Sequence, residues 1–514
     1  MQAHKPEYPV DKSNSSLKYC QYVIITPIKK GNMMKINFFN TVGCKPFWLV
    51  MLLAVCMTPA FAATILVKQD GSGDFTTVQA ALDTAKSGDT VIVSAGTYTE
   101  DIGIGHFNVP SLQKDNITLQ AGDVEAVEII ASNTSQRLAG LAAAGFDPGP
   151  ADRMGFVING DNIVVDGIRF VQNLPEPNNL NINLAVTIGG ANVTIRNCEI
   201  VGPGPEANGD LVGLVVATMD VYSISTGKPH LANQVTIENC RFTNSPYAFA
   251  NADFLKTGAP STVTITNCEF FGNSNAIEID DGFTTLIDCH IHDNIGSGLH
   301  LSDDVTTVRS CLIENNAGYG FDIDNQALDN NEPPEHPIVH IEDCKILNNG
   351  TSGRPGLNIE LGTVTITGSI VSKSTNGNVY LETRSGRETK VTIDHCDLYK
   401  SNGGIGVSTT TNPADIITFS MTNSIVVDYD GVFNNAGVLG DFTVEYCDIF
   451  ASGIQFEGEF NSTANIIKAD PQYVDAENGN FYLKPGSPAA TAGRNGTFMG
   501  SKGIAVAVSD WMIQ

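Results

Sequence analysis

The chain has 514 residues, 8% of them aromatic, and 56 acidic against 29 basic side chains give it a formal charge of −27. That excess excludes a broad binding surface for nucleic acid or anionic membrane, because those partners are themselves polyanions. It favours divalent cations and would require one between the protein and a polyanionic ligand, although acidity also serves solubility outside a cell.

Residues 1–32 are polar and patternless, and Met33 or Met34 reads as the true start. Lys35 and Lys45 make a basic stretch, Phe47 to Val55 an apolar run, and Pro59-Ala60-Phe61-Ala62 an Ala-x-Ala site. Residues 33–62 are therefore expected to be a secretory signal peptide cut after Ala62. The apolar run is short for a bilayer span, and Val55 is a poor neighbour for a lipid-bearing Cys56. The expectation is export by the Sec pathway to the periplasm, the cell surface or the medium. Without residues 1–62, 22 basic and 54 acidic residues remain, a formal charge of −32.

Residues 63–130 read as an N-terminal cap and first coils. Ile65 to Asp74 forms a strand and a Gly-rich turn, and Val78, Ala81, Leu82 and Ala85 follow at the spacing of an amphipathic helix of about three turns. Ser87-Gly88-Asp89 ends the helix, and Thr90 to Glu100 resumes as strand and turn. The stretch Asp70-Gly-Ser-Gly-Asp-Phe75-Thr-Thr-Val-Gln-Ala-Ala-Leu82, closing in Gly96-Thr-Tyr-Thr-Glu100, resembles the opening of pectinesterases. More broadly it resembles the pectate-lyase-like, pectin lyase fold superfamily of right-handed parallel β-helices. The opening recurs across β-helix proteins of many activities, so the resemblance implies the fold rather than one reaction. No counterpart is found of the pectinesterase segments Gln-Asp-Thr-Leu, Asp-Phe-Ile-Phe-Gly or Leu-Gly-Arg-Pro-Trp; Asn251-Ala-Asp253-Phe254 matches only a dipeptide.

Residues 131–468 carry the repeats, after an Ala/Gly/Pro-rich insertion at 131–155 that reads as a loop. The pattern is clearest at Val263–Phe270, Thr285–Ile291 and Thr307–Ile313, with Cys268, Cys289 and Cys311 at intervals of 21 and 22 residues. A fixed period of short strands and turns marks a solenoid. Further coils follow Gly167, Cys198, Cys240, Cys344, Ser369, Cys396, Ser424 and Cys447, with longer loops at Pro203–Asp210, Asp220–Asn233 and Ala327–Pro337. Apolar residues recur three before the Cys (Ile265, Leu286, Val308) and two after it (Phe270, Ile291, Ile313). In one straight strand those positions would face opposite sides. The chain must bend just before the Cys, where Asn197, Asn239, Asn267, Asp288 and Asp343 tolerate a left-handed backbone. Five residues after the Cys comes a second set, Asn273, Asn294, Asn316 and Asn349. Three strands per coil bent at Asn-rich corners make a single-stranded, all-β, right-handed parallel β-helix. About a dozen coils at roughly 4.8 Å each give a rod near ~55 Å.

Eight cysteines follow Ala62, an even number that in an exported chain suggests disulfides. Each sits at the same place in its repeat, so they are expected to stack as buried free thiols, one coil apart. Ser369 and Ser424 in the same slot fit packing better than bridging. Residues 469–514 lack the repeat, and the segment from Asp470 to Ala489 reads as a C-terminal cap.

The outward residues of the third strand fall in two columns. One holds Glu278, His300, Asp322, Asn358 and Tyr380, the other Asp280, Ser302, Asp324, Glu360 and Glu382, with Asp281, Asp303 and Asp304 at strand ends. Carboxylates about 5 Å apart couple strongly. They either bind Ca²⁺ or share a proton between two acids. Candidate catalytic residues are Asp280, Asp281, Asp322, Asp324 and His300; candidate metal ligands are Glu278, Asp280, Asp303, Asp304 and Asp324. Ca²⁺ could bridge a uronate polysaccharide while a Lys or Arg takes the proton α to its carboxylate, with Arg309, Arg354, Arg384, Arg387 and Lys390 nearest in sequence. That is polysaccharide lyase chemistry, with no organic cofactor and a monomeric protein. A carbohydrate-binding cell-surface or adhesion protein, a glycoside hydrolase and a pectinesterase are the alternatives, and a merely solvated acidic face with His300 at the surface is the plainest.

Overall fold

A computed structural model describes residues 62–505 apart from 106–113, 123–125, 133–152, 173–181, 206–209, 218–233, 253–260, 281, 303–304, 325–335, 384–387, 402–405, 410–415, 430–431, 435–439, 454 and 458–459. The leader segments, most of the 131–155 insertion and most of the three longer loops lie outside the described residues. Among those described, no helix is long and apolar enough to cross a membrane.

Three parallel sheets of 14, 13 and 11 strands run the length of the repeats, each strand pairing with its counterpart one coil away. In the central coil, Thr262–Thr266 belongs to the first sheet, Glu269–Phe271 to the second and Asn275–Ile279 to the third. Three parallel strands per coil stacked in this way are the parallel β-helix expected from the repeats. The inward side chains make one continuous core from Ile65 to Ile449.

The helix Val78–Thr84, about two turns where three were expected, buries Val78, Ala81 and Leu82 in that core, and Ala85 is buried just past its end. Its first amides would otherwise be orphaned. The carboxylate of Glu100 accepts from both Val78 N and Gln79 N, at 2.9 Å each, which gives the last residue of the Gly-Thr-Tyr-Thr-Glu motif a structural task.

The corners explain the Asn-rich pattern. Asn197, Asn239, Asn267, Asp288 and Asp343 all adopt φ between 51° and 54°, turning the chain from the first sheet into the second as expected. In the coil at 162–171, Val165 pairs with Ile195 and Phe170 with Ile200, which places Ile168 opposite Cys198. Gly167, expected in the Cys slot, is instead the left-handed corner residue, with φ of 75°. The second corner turns on the residue four after the Cys: Gly272, Asp293, Asn315 and Asn348 have φ from 52° to 66°. The next residue then points inward. Asn273, Asn294, Asn316 and Asn349 are buried and form a ladder in which the backbone N–H of each of the first three donates to the amide oxygen one coil on, from 3.0 Å for Asn273 to Asn294 to 3.3 Å for Asn294 to Asn316.

The eight described cysteines are buried and free. Cys240 N and Cys289 N donate to the sulfur of the next coil's Cys at 3.3 Å, and Cys344 N and Cys396 N donate to Ser369 Oγ and Ser424 Oγ at 3.1 Å. Serine therefore fills the slot by accepting the same bond, as packing requires and a disulfide could not. Burial pushes the Cys447 thiol up to about 12.

The closing segment, expected as a cap, lies along the side of the last coils. Phe481, Leu483, Ala489 and Met499 pack on Ile370, Tyr399, Ile425 and Val427, outward residues of the second sheet. Buried Asp397 accepts hydrogen bonds there from Tyr473, the Ser501 hydroxyl and Ser501 N. Phe456, Phe460 and Ile466 pack against the main core at its far end.

Candidate functional site

The third sheet carries the chemistry. Ile277, Ile279, Leu299, Leu301, Phe321, Ile323, Leu357 and Ile359 fill the core, so strand alternation turns the residue between each pair outward. The register pairs Glu278 with His300, His300 with Asp322, Asp322 with Asn358 and Asn358 with Tyr380, the column read from the sequence. The second column keeps step, since Asp280 N, Ser302 N, Asp324 N and Glu360 N each donate to the backbone of an adjacent coil.

His300 is the centre of this face. The surface position considered for it does not hold, because it is only 7% exposed. Its Nδ1 lies 2.7 Å from Glu278 Oε1 and its Nε2 2.8 Å from Asp324 Oδ1. Burial opposes a charge here, but the hydrogen bonds and negative charges of Asp324 and Glu278 outweigh it and lift the imidazole to about 11. At neutral pH the ring is an imidazolium that donates to both carboxylates, which disqualifies it as a general base in this state.

Asp322 lies beside it, half-buried. Burial raises its carboxyl, and the charges of Asp324 and Glu360 add to the effect, against the Asn358 hydrogen bond and the His300 charge; the result is about 6. Asn358 Nδ2 donates to Asp322 Oδ1 at 2.8 Å and to Glu360 Oε1 at 3.1 Å, so one buried amide ties both carboxylates together. Nitrogen and oxygen atoms of His300, Asp322 and Asp324 all approach within 4.8 Å of one another, a spacing compatible with a shared cation.

Of the sequence-derived candidates, Glu278, His300, Asp322 and Asp324 come together around the imidazole, and Asp280 lies in the adjoining column. Asp281, Asp303 and Asp304 fall outside the described residues, as do Arg384, Arg387 and the dipeptide Asp253-Phe254. Arg309 is engaged by Glu342 on the first sheet, 2.7 Å away. Lys390 also belongs to the first sheet. Arg354 is the basic side chain of that group set beside the cluster: its Nη1 donates to Tyr319 Oη at 3.1 Å, and its guanidinium carbon lies 5.3 Å from the Tyr319 ring centroid. Burial and the nearby Asp322 charge raise the Tyr319 phenol, which stays protonated. Tyr319 was not legible as a site residue, because it sits in a turn and reaches the column only through the register of the coils.

The class defined by these coils is the right-handed parallel β-helix: residues 152–333 match the family model described as "Right handed beta helix region". No curated protein sequence matches the chain. Solved structures similar to it include the pectate lyase Pel9A, 12% identical over 86% of this chain and 96% of its own, with a TM-score of 0.38. Another is a PL6 alginate lyase in complex with a trisaccharide, 12% identical over 88% and 97%, TM-score 0.42. The A-module of the mannuronan C-5 epimerase AlgE6 of Azotobacter vinelandii is 14% identical over 77% and 97%, TM-score 0.41. The fold assignment itself rests on the family match and the strand register.

Proposed function

We propose that this is an exported β-helix protein that binds a uronate-containing polysaccharide along its third sheet and cleaves it by β-elimination. The observation that carries the reading is the stack of acidic, imidazole and amide side chains on successive coils, centred on His300 between Glu278 and Asp324. A stacked row with a repeat of about 4.8 Å suits an extended polymer lying across the coils.

The reading assigns Ca²⁺ to the second column. Asp280, Asp324 and Glu360 offer the hard oxygen donors that Ca²⁺ takes, and the buried Ser302 hydroxyl between Asp280 and Asp324 has no hydrogen-bond partner among the described residues. Bound there, the cation would neutralise a substrate carboxylate and so acidify the adjacent C–H. The His300 imidazolium fixes the two carboxylates it bridges. Asp322, held near 6 and ionised at neutral pH, is a stronger base than an open carboxylate and is assigned the C5 proton. As the C5–H pair forms the C4–C5 double bond, the C4–O4 bond breaks, and Tyr319 donates its phenolic proton to the departing oxygen. Arg354, accepted by the Tyr319 oxygen, stabilises the phenolate left behind.

One observation favours a second reading. A carboxyl raised to about 6 beside a second carboxyl group also suits general-acid glycoside hydrolysis. Incubation with polygalacturonate and with alginate, with and without Ca²⁺, separates the two: elimination yields an ultraviolet-absorbing unsaturated uronate, hydrolysis yields only new reducing ends. Tight glycan binding with neither product would make the protein a non-catalytic carbohydrate-binding or adhesion protein.

A further inference from the structure

A second constellation lies on the second sheet of the same coils. The strand His290–His292 turns both histidines outward, since Ile291 between them is buried. In the register His290 follows Glu269, and Glu314 follows His292. His292 Nε2 lies 3.2 Å from Glu269 Oε1, close to the ~3.3 Å edge of a tetrahedron of nitrogen and oxygen ligands around zinc. Ligand atoms of Glu269, His290 and His292 all lie within 4.8 Å of one another.

Two features go beyond proximity. His292 Nδ1 is 2.8 Å from Asp293 Oδ2, a carboxylate–histidine pair of the kind that orients metal-binding imidazoles, and Nε2, which meets Glu269 across a hydrogen bond, would exchange that proton for the cation. Arg241 Nε donates to the other oxygen of Glu269 at 2.8 Å and holds the carboxylate with Oε1 turned to the ring. The His290 and His292 rings stack at 3.8 Å, and Phe271 stacks on His292 at 5.4 Å. Glu269, Asp293 and Glu314, the last 3.0 Å from His290 Nε2, set three carboxylates against one guanidinium, so the local field favours a dication.

We propose that Glu269, His290 and His292 bind a zinc-class transition dication that staples two consecutive coils, leaving a fourth position for water. Two imidazoles select against Ca²⁺ and Mg²⁺, which take oxygen ligands. Closing the ligand set asks the stacked imidazoles to fan apart and the His290 nitrogen to come roughly 1.5 Å closer, within reach of side-chain torsions. The proposal is independent of the third-sheet reading.

The test uses the purified protein, stripped with chelator and titrated with Zn²⁺ by calorimetry, with bound metal counted after desalting. One Zn²⁺ per chain is expected, and His290→Ala/His292→Ala should abolish that binding. Asp293→Asn should weaken it about tenfold to a hundredfold, and Asp322→Ala/Asp324→Ala should leave it intact. Zn²⁺ should also raise the melting temperature of the parent protein and not that of the double-histidine variant, whose metal-free melting temperature shows whether it is folded. Failure of the parent to bind Zn²⁺, or equal binding by a folded double-histidine variant, would overturn the proposal.

Discussion

The asparagine ladder sets the turn from the second sheet into the third and so places the candidate site. Asn316 is the informative rung to remove. Its Oδ1 accepts from Asn294 N at 3.3 Å and from Asn294 Nδ2 at 2.7 Å, and its Nδ2 donates to Ile291 O at 3.1 Å and to Asn349 Oδ1 at 2.9 Å. All four bonds are buried. Asn316→Ala deletes them and strands Asn294 N, while Asn294 Nδ2 keeps Phe270 O as a partner at 3.2 Å. At about 1 kcal/mol for each neutral bond, the loss should come to about 3–4 kcal/mol. Urea unfolding followed by circular dichroism measures it. The control is the neighbouring corner residue: Asn315 has φ of 56°, a conformation glycine adopts freely, so Asn315→Gly should change stability by less than about 1 kcal/mol. A loss below about 1 kcal/mol for Asn316→Ala, or equal losses for the two variants, would refute the ladder as a source of stability.

Further outcomes follow from the titrating groups and the thiols. His300, lifted to about 11, contributes stability that is fully present below its open-chain value of 6.5 and is lost as pH rises toward 11. The melting-temperature gap between the parent and His300→Gln should therefore narrow steadily above pH 6.5, and a gap independent of pH would contradict the doubly bonded imidazolium. Asp397 has the opposite sign for a carboxylate: burial raises it from 3.8 to about 6, so its charged form costs about 3 kcal/mol at neutral pH. Asp397→Asn should gain on the parent protein as pH rises from 4 to 7, read by thermal melts across that range. Cys289→Ser should lose less than about 1.5 kcal/mol, because Ser369 and Ser424 already fill that slot, and the cysteines should react with a thiol reagent only after unfolding.

The sequence revealed most of what periodicity governs. Alternation and the fixed interval between Cys268, Cys289 and Cys311 give strand parity, so the column Glu278, His300, Asp322, Asn358, Tyr380 is legible in the sequence and appears in that register. Periodicity is blind to which residue within a corner bends. It placed Gly167 one position late, and it recorded the Asn set of the second corner without showing that the preceding residue carries the left-handed turn while the Asn faces the core. It also says nothing of contacts across coils at unlike positions. That is why Tyr319 and Arg354, both from turns, and the diagonal approach of His292 to Glu269 became visible only in three dimensions.

The proposed function stands or falls on cleavage of a uronate polymer at the third-sheet cluster. The most direct measurement is absorbance of unsaturated uronate from polygalacturonate and alginate with added Ca²⁺, for the parent protein and for Asp322→Asn. Product is expected with the parent protein, lost on chelation, and reduced at least about a hundredfold in Asp322→Asn at an unchanged melting temperature. Absence of unsaturated product from every polymer, or full activity in Asp322→Asn, would contradict it.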